Sequence, residues 1–160
     1  MSEGTTVEAV EIVYRKRGRD FFRFALAVTG EDEMARDAVQ EGFARAIRRR
    51  ATFRGSGSLD AWLARCVMNA ARDMVSARGV SAPLDDLDEG AALPGTADEE
   101  LRSLVRELPP RQRAVLFLRF YLDLDYESIG ETLGIEVGTV SATLHAARNA
   151  LGRALQEVYE

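Results

Sequence analysis

Residues 126–148, YESIGETLGIEVGTVSATLHAAR, hold the pattern on which the reading of the fold turns. Ile129 and Leu133 stand four apart and give a short segment one apolar face. Gly134 and Ile135 follow as a turn, glycine being the residue that most easily ends a helix in a left-handed conformation. Val140 and Leu144 repeat the four-residue spacing on a second segment, so the two apolar faces can meet across the turn. Gly130 lets the two axes approach closely. This is the layout of a helix-turn-helix, whose second helix projects as a rigid rod into the major groove of DNA. An ordinary helical hairpin shares the pattern. The outward face of the second helix carries Ser141, Ala142, Thr143, His145, Arg148 and Asn149. Its free N–H groups around Glu136 to Thr139 are placed to meet a phosphate, with the charge of Glu136 opposing that.

Working outward, Val140, Leu144, Ala147, Leu151 and Leu155 extend one buried face along a helix expected over Gly138 to Leu155. On the other side, Asp123 to Asp125 reads as a turn. Pro110 suits the first turn of a helix carrying Val115, Leu116, Leu118 and Phe120. Leu101, Leu104, Val105 and Leu108 form a short amphipathic helix before it. Upstream, Gly79 to Asp98 (GVSAPLDDLDEGAALPGTAD) holds two of the four prolines and no sustained apolar period, and reads as a flexible linker. Before the linker the pattern is again helical. Val10, Val13, Tyr14, Phe21, Phe22, Ala25 and Leu26 lie on one segment ending at Thr29-Gly30. Glu31-Asp32 opens a second, with Met34, Ala38, Val39, Phe43 and Ile47 as its stripe. After the break at residues 53–58, Ser58 is a good N-cap for a helix through Trp62, Leu63, Cys66, Val67 and Ala70. Strand-type alternation is absent. The expected fold is all-α: two small helical domains, residues 1–79 and 98–160, joined by an acidic linker at 80–97.

Composition narrows the function. The 160 residues are 46% hydrophobic and 29% charged, which is globular composition. No apolar run approaches the roughly 20 residues that span a bilayer, and the N-terminus lacks the basic and apolar regions of a secretory signal. A cytoplasmic protein without membrane insertion is expected. The single cysteine, Cys66, excludes an internal disulfide framework. The single histidine, His145, leaves no room for a His-rich metal site or for most His-based catalysis. Nucleotide-binding glycine loops and the nucleophile elbow are missing. Neither an enzyme nor a bound cofactor is expected. The net charge of −5 is unevenly spread: +3 over residues 1–79, −7 over 80–100 and −1 over 101–160. Of the 21 basic residues all but Lys16 are arginine, the better fork for phosphate and base edges.

Three further stretches make the whole chain resemble the bacterial sigma factors of the extracytoplasmic-function group. ARDAVQEGFARAI (35–47) is similar to their core-polymerase-binding segment, FRGSGSLDAWLARCVMNAARD (53–73) to the segment that melts and reads the minus-ten promoter element, and LPPRQRAVLFLR (108–119) with the helix-turn-helix to the minus-thirty-five-binding domain. The resemblance implies that Asp37, Gln40, Glu41 and Phe43 contact core RNA polymerase. It implies that Phe53, Arg54, Ser58, Asn69 and Arg72 contact minus-ten DNA. Arg119, Thr139, Ser141, Ala142, Thr143, His145 and Arg148 would contact minus-thirty-five DNA. It also implies an anti-sigma partner.

The chemistry of these residues agrees. Asp37 and Glu41, four apart, share a helical face that can pair with a basic partner, although a solvated acidic face has the same pattern. Aromatic rings give unpaired bases a stacking platform worth about 1–3 kcal/mol each, and amides such as Asn69 read the edge of a flipped base. Trp62 reads more readily as core than as platform. The recognition helix departs from the family in one respect. Only Arg148 and Arg153 are basic across Gly138 to Leu155, where relatives commonly carry basic groups at the positions of Ser141, Thr143 and Ala146. Fewer phosphate contacts mean weaker, less salt-dependent binding. Tethering to polymerase would compensate, and a sigma-like adaptor that sequesters a regulator could dispense with DNA contacts; a stand-alone helix-turn-helix regulator, the other alternative, would bind duplex DNA without polymerase and leaves Asp37, Gln40 and Phe53-Arg54-Gly55 unexplained. The linker reads either as a solvated spacer or as an acidic mimic of nucleic acid.

Overall fold

A computed structural model of the chain describes residues 4–55, 57–78 and 104–159, with side chains through Arg153; the expected linker and Leu101 lie outside the described residues. Helix α1 (Val7–Thr29) starts where the Thr6 hydroxyl accepts from the Ala9 N–H at 3.1 Å, and ends at Gly30, whose φ of 78° is left-handed. Helix α2 (Asp32–Arg48) carries Asp32 and Glu33 in its first turn, complementing the positive end of the helix dipole. A 3₁₀ turn (Arg50–Thr52) leads to the break, and Ser58 caps α3 (Leu59–Ala77) by accepting from the Ala61 N–H at 3.0 Å. Helix α3 runs beyond Ala70 because Met74 and Val75 prolong its apolar stripe with no breaker among them.

Phe21, Phe24, Leu26, Leu63, Val67 and Met68 are buried between these three helices. Gly42 sets the α2–α3 approach: a Cβ there would stand 2.6 Å from the Val67 Cα.

The second half begins with a helical stretch at 104–107, followed by α4 (Pro110–Phe120), α5 (Tyr126–Leu133) and α6 (Val137–Tyr159). Pro110 occupies the first turn of α4, as its missing N–H favours. Asp125 caps α5, accepting from the Ser128 N–H at 2.8 Å, and Gly134 ends α5 with φ 72°. The Ile135 N–H then reaches back to the Gly130 carbonyl at 2.9 Å. That fixes the turn, and a Cβ on Gly130 would stand 2.6 Å from the Ile135 oxygen. Ile129, Leu133, Val140 and Leu144 are buried against one another's helices, as their spacing requires. No described residue forms a strand.

The two halves pack against each other over one continuous apolar core, a placement that sequence patterning did not anticipate. Three arginines stitch the boundary, each donating to a carbonyl at the C-terminal end of a helix in the other half. Arg17 of α1 bonds the Tyr121 carbonyl at 2.5 Å, at the end of α4. Arg72 of α3 bonds the Leu133 carbonyl at 2.9 Å, the last residue of α5. Arg113 of α4, only 1% exposed, bonds the Ala27 carbonyl in the last turn of α1 at 3.3 Å and the Arg106 carbonyl at 3.0 Å. Helix C-termini leave four carbonyls without intrahelical donors and carry the negative end of the dipole. Neither α1 nor α5 has a basic residue in its own last turn, so the cation comes from across the boundary. A hydrogen bond to a charged group contributes roughly 1.5–3 kcal/mol net. Arg17 also pairs with Asp60 and Asp123, both at 3.0 Å, and Arg23 lies over the Tyr121 ring at 4.8 Å.

Candidate nucleic-acid interface

Helix α2 divides its polymerase-facing candidates by depth. Asp37 and Gln40 are exposed on its outer side, with Arg36 beside them. Glu41 is already engaged: Arg45 and Arg48 both donate to its Oε1, at 3.1 and 3.0 Å. Those two bonds hold its carboxyl below the ordinary range. Phe43 faces inward and is buried. Its ring stands edge-on to Phe21 at 5.1 Å and to Tyr14 at 5.2 Å, so it supports α2 from beneath rather than offering a contact. Alongside Gln40 and Val39, a groove of about 630 Å³ between α1 and α2 is bordered by Tyr14, Arg15, Lys16 and Arg19.

The candidates for reading unpaired bases gather around the break before α3. Phe53 is half-buried and its ring lies 5.4 Å from that of Trp62, tilted by 56°. Trp62 is itself half-buried, so it is neither wholly core nor a free platform. Arg54 is exposed. Ser58 spends its hydroxyl oxygen on the helix cap. Asn69 is exposed on α3, and Arg72 turns its guanidinium to the end of α5. Loss of solvent there lowers the Arg72 pKa from its ordinary value while leaving it a cation. A cavity of about 280 Å³, large enough for a base, is bounded on one side by Phe53, Arg54 and Trp62 and on the other by Ser128 and Glu131 of α5. Arg65 also lines it. Sequence reasoning passed over that residue, although its place between Trp62 and Asn69 on one helical face was the available signal. Cys66 is half-buried close by, and burial pushes its thiol pKa up, away from reactivity.

Helix α6 presents the third set. Ser141, Ala142, His145 and Arg148 are exposed, while Thr139 and Thr143 are half-buried at the margin. Val140, Leu144 and Ala147 are buried behind them, so the helix offers one polar face outward. Arg119 is half-buried at the end of α4. Phe120, 52% exposed, carries the Arg148 guanidinium over its ring at 5.2 Å. This cation–π contact orients one of the two arginines of the described recognition helix, and nothing in the spacing of the sequence pointed to it.

The family model for sigma-70 region 2 matches residues 13–80, and the model for sigma-70 region 4 matches residues 98–151. The chain belongs to the sigma-70 family. The ECF RNA polymerase sigma factor SigE of Mycolicibacterium smegmatis is 31% identical over 86% of this chain, which spans 58% of that protein's length. The RNA polymerase sigma-H factor of Pseudomonas aeruginosa is 31% identical over 76% of this chain and 73% of its own. These relatives place this sigma factor in the extracytoplasmic-function group. The fold is shared with the sigma factor RpoE of Bartonella quintana, solved in complex with the anti-sigma factor NepR. The TM-score is 0.74 at 20% identity, covering 93% of this chain and 95% of that one. Among the described residues of this sigma factor, no three His, Cys, Asp or Glu side chains cluster to hold a metal, and no helix is long and apolar enough to cross a membrane.

Proposed function

We propose that this sigma factor binds core RNA polymerase, brings it to promoter DNA and assists strand opening, while the polymerase supplies all the catalysis. The observation that carries the reading is the presence on one chain of three separate chemistries. These are the exposed Asp37–Gln40 edge of α2, the aromatic and arginine-lined pocket before α3, and the outward polar face of α6. In this reading Asp37 and Gln40 meet a basic helical surface of the polymerase, with Glu41 shared with Arg45 and Arg48. Phe53, Arg54, Asn69 and Arg72 handle the unpaired minus-ten strand. Ser141, Ala142, Thr143, His145 and Arg148, flanked by Arg119 and Thr139, read the minus-thirty-five duplex. The functional units are residues 1–79 and 98–160, and the acidic stretch 80–97 joins them. Work of this kind belongs in the cytoplasm. An anti-sigma factor is a further partner, as for the Bartonella protein.

Co-elution with core RNA polymerase on a sizing column tests the reading. The wild-type chain is expected to travel with core, and Asp37→Arg to lose most of that association while keeping its helical circular-dichroism spectrum. A folded wild-type chain that does not associate with active core would overturn it.

A further inference from the structure

We infer that the groove between α1 and α2 is a separate binding site, and that its ligand is a nucleoside polyphosphate. The inference concerns the free chain and needs nothing from the sigma-factor reading.

Tyr14, Gly18 and Phe22 stand four apart on α1 and therefore share one edge of that helix. Eight residues separate the two aromatic positions, about 12 Å along the axis at 1.5 Å per residue, with the bare glycine midway. The groove of about 630 Å³ opens over this edge, and Arg36 and Val39 of α2 border its far side. Pockets of about 300–1,000 Å³ hold ligands of nucleotide size.

Gly18 is the first clue. It lies in the interior of a 23-residue helix, where glycine is a poor helix former. Gly42 and Gly130 are explained by close contacts, since a Cβ on either would stand 2.6 Å from a neighbouring main-chain atom. At Gly18 a Cβ would meet nothing within 4 Å, so the chain's own packing does not call for glycine. What the missing side chain leaves is a notch between two rings, in which a flat group can lie against the helix backbone. Tyr14 is 45% exposed yet anchored, its ring edge-on to the buried Phe43 at 5.2 Å. Phe22 is half-buried, with the Arg36 guanidinium 6.0 Å from its ring centre.

Charge is the second clue. Lys16, Arg19 and Arg36 all border the groove and are exposed. Among the described residues none of the three has a carboxylate within ion-pair distance, whereas Arg15 at the rim pairs with Glu11 at 2.6 Å and Arg17 on the other side of α1 pairs with Asp60 and Asp123. Three uncompensated cations suit the successive phosphates of one small anion. An acidic peptide or an inorganic polyphosphate would use those cations and leave the notch and the rings without a purpose. A base attached to the phosphates uses all of them, since every base has a face to stack on an aromatic ring.

Calorimetric titration of the full chain, without polymerase or DNA, tests the site. The probes are ATP and GTP, free of divalent cations so that the phosphates keep their charge; tripolyphosphate and a short polyglutamate are the comparators. One saturable site is expected, with the nucleotides bound about tenfold or more tighter than tripolyphosphate, a factor that one stacked base supplies. Lys16→Ala with Arg19→Ala should weaken nucleotide binding by about tenfold or more. Gly18→Leu fills the notch and should weaken it similarly, while melting no lower than wild type, because leucine is the better helix former. Gly18→Ala, a single methyl, should fall between and keeps the test decisive if leucine disturbs the helix. No saturation by about 1 mM nucleotide would overturn the site. So would nucleotide binding that both Gly18 variants leave unchanged, or tripolyphosphate or polyglutamate bound as tightly as the nucleotides. Because no readout involves polymerase, failure here leaves the co-elution result standing, and the converse also holds.

Discussion

Gly130→Ala puts the helix-turn-helix geometry to a quantitative test. The substitution should help α5 locally, since alanine exceeds glycine in a helix interior by about 1 kcal/mol. Packing opposes it. The new methyl would stand 2.6 Å from the Ile135 carbonyl oxygen and 3.7 Å from Val140 Cγ2. The oxygen is not free to retreat, because the Ile135 N–H of the same residue is pinned to the Gly130 carbonyl at 2.9 Å. Relief requires opening the turn that sets the angle between α5 and α6. Overpacking of this kind costs about 1–3 kcal/mol, so the net loss is about 0–2 kcal/mol and the melting temperature should fall by up to roughly 8 °C. Gly152→Ala on α6 is the control. A methyl there meets nothing within 4 Å, so the same chemical change should stabilise by about 0.5–1 kcal/mol. Thermal unfolding followed at 222 nm reads both variants. The two variants should differ by at least about 1 kcal/mol, and a Gly130→Ala protein stabilised as much as Gly152→Ala would refute the claimed contact.

Three other outcomes are expected. Asn69→Ala should keep core association and slow promoter opening several-fold, read by permanganate reactivity of unpaired thymines; opening at the wild-type rate would remove Asn69 from base reading. Ser141→Arg with Thr143→Arg should steepen the log–log salt dependence of duplex binding by up to about 2, near 0.9 for each new phosphate contact; an unchanged slope would mean that this face of α6 does not meet DNA. Asp125→Ala should cost about 0.5–2 kcal/mol through loss of the α5 cap. The Ser128 N–H bond holds the Asp125 carboxyl below its ordinary pKa. The cap's contribution is therefore full above the unfolded value of about 3.9 and declines as pH falls through the lower folded value. Between pH 7 and pH 3 the gap in stability between wild type and Asp125→Ala should narrow, and a constant gap would count against the cap.

Local physics made much of the fold legible. Thr29-Gly30, Ser58, Pro110 and Gly134 each act within four residues of themselves, and each stands at the helix boundary its chemistry favours. The apolar spacing that marked Val140, Leu144 and Ala147 as one face also holds, because a helix repeats every 3.6 residues wherever it sits. Residues that act at a distance were not legible. Arg17, Arg72 and Arg113 bond partners 104, 61 and 86 positions away. Those partners are main-chain carbonyls, which every residue possesses, so no side-chain pattern announces them. Arg72, which the resemblance assigns to minus-ten DNA, bonds the Leu133 carbonyl. Phe43, which the resemblance assigns to the polymerase contact, is buried beneath α2, a depth that the motif by itself does not announce. Gly42, whose bare Cα lets α3 approach, resembles a mere loss of helix propensity until Val67 is seen beside it.

The weakly basic recognition helix fits a tethered protein better than a free-standing DNA binder. With two arginines on the described part of α6, one of them stacked on Phe120, phosphate contacts alone would give modest affinity that is little steepened by salt. On the proposed function, tethering to polymerase offsets that deficit, because each weak contact is then made at the high effective concentration of a tethered module.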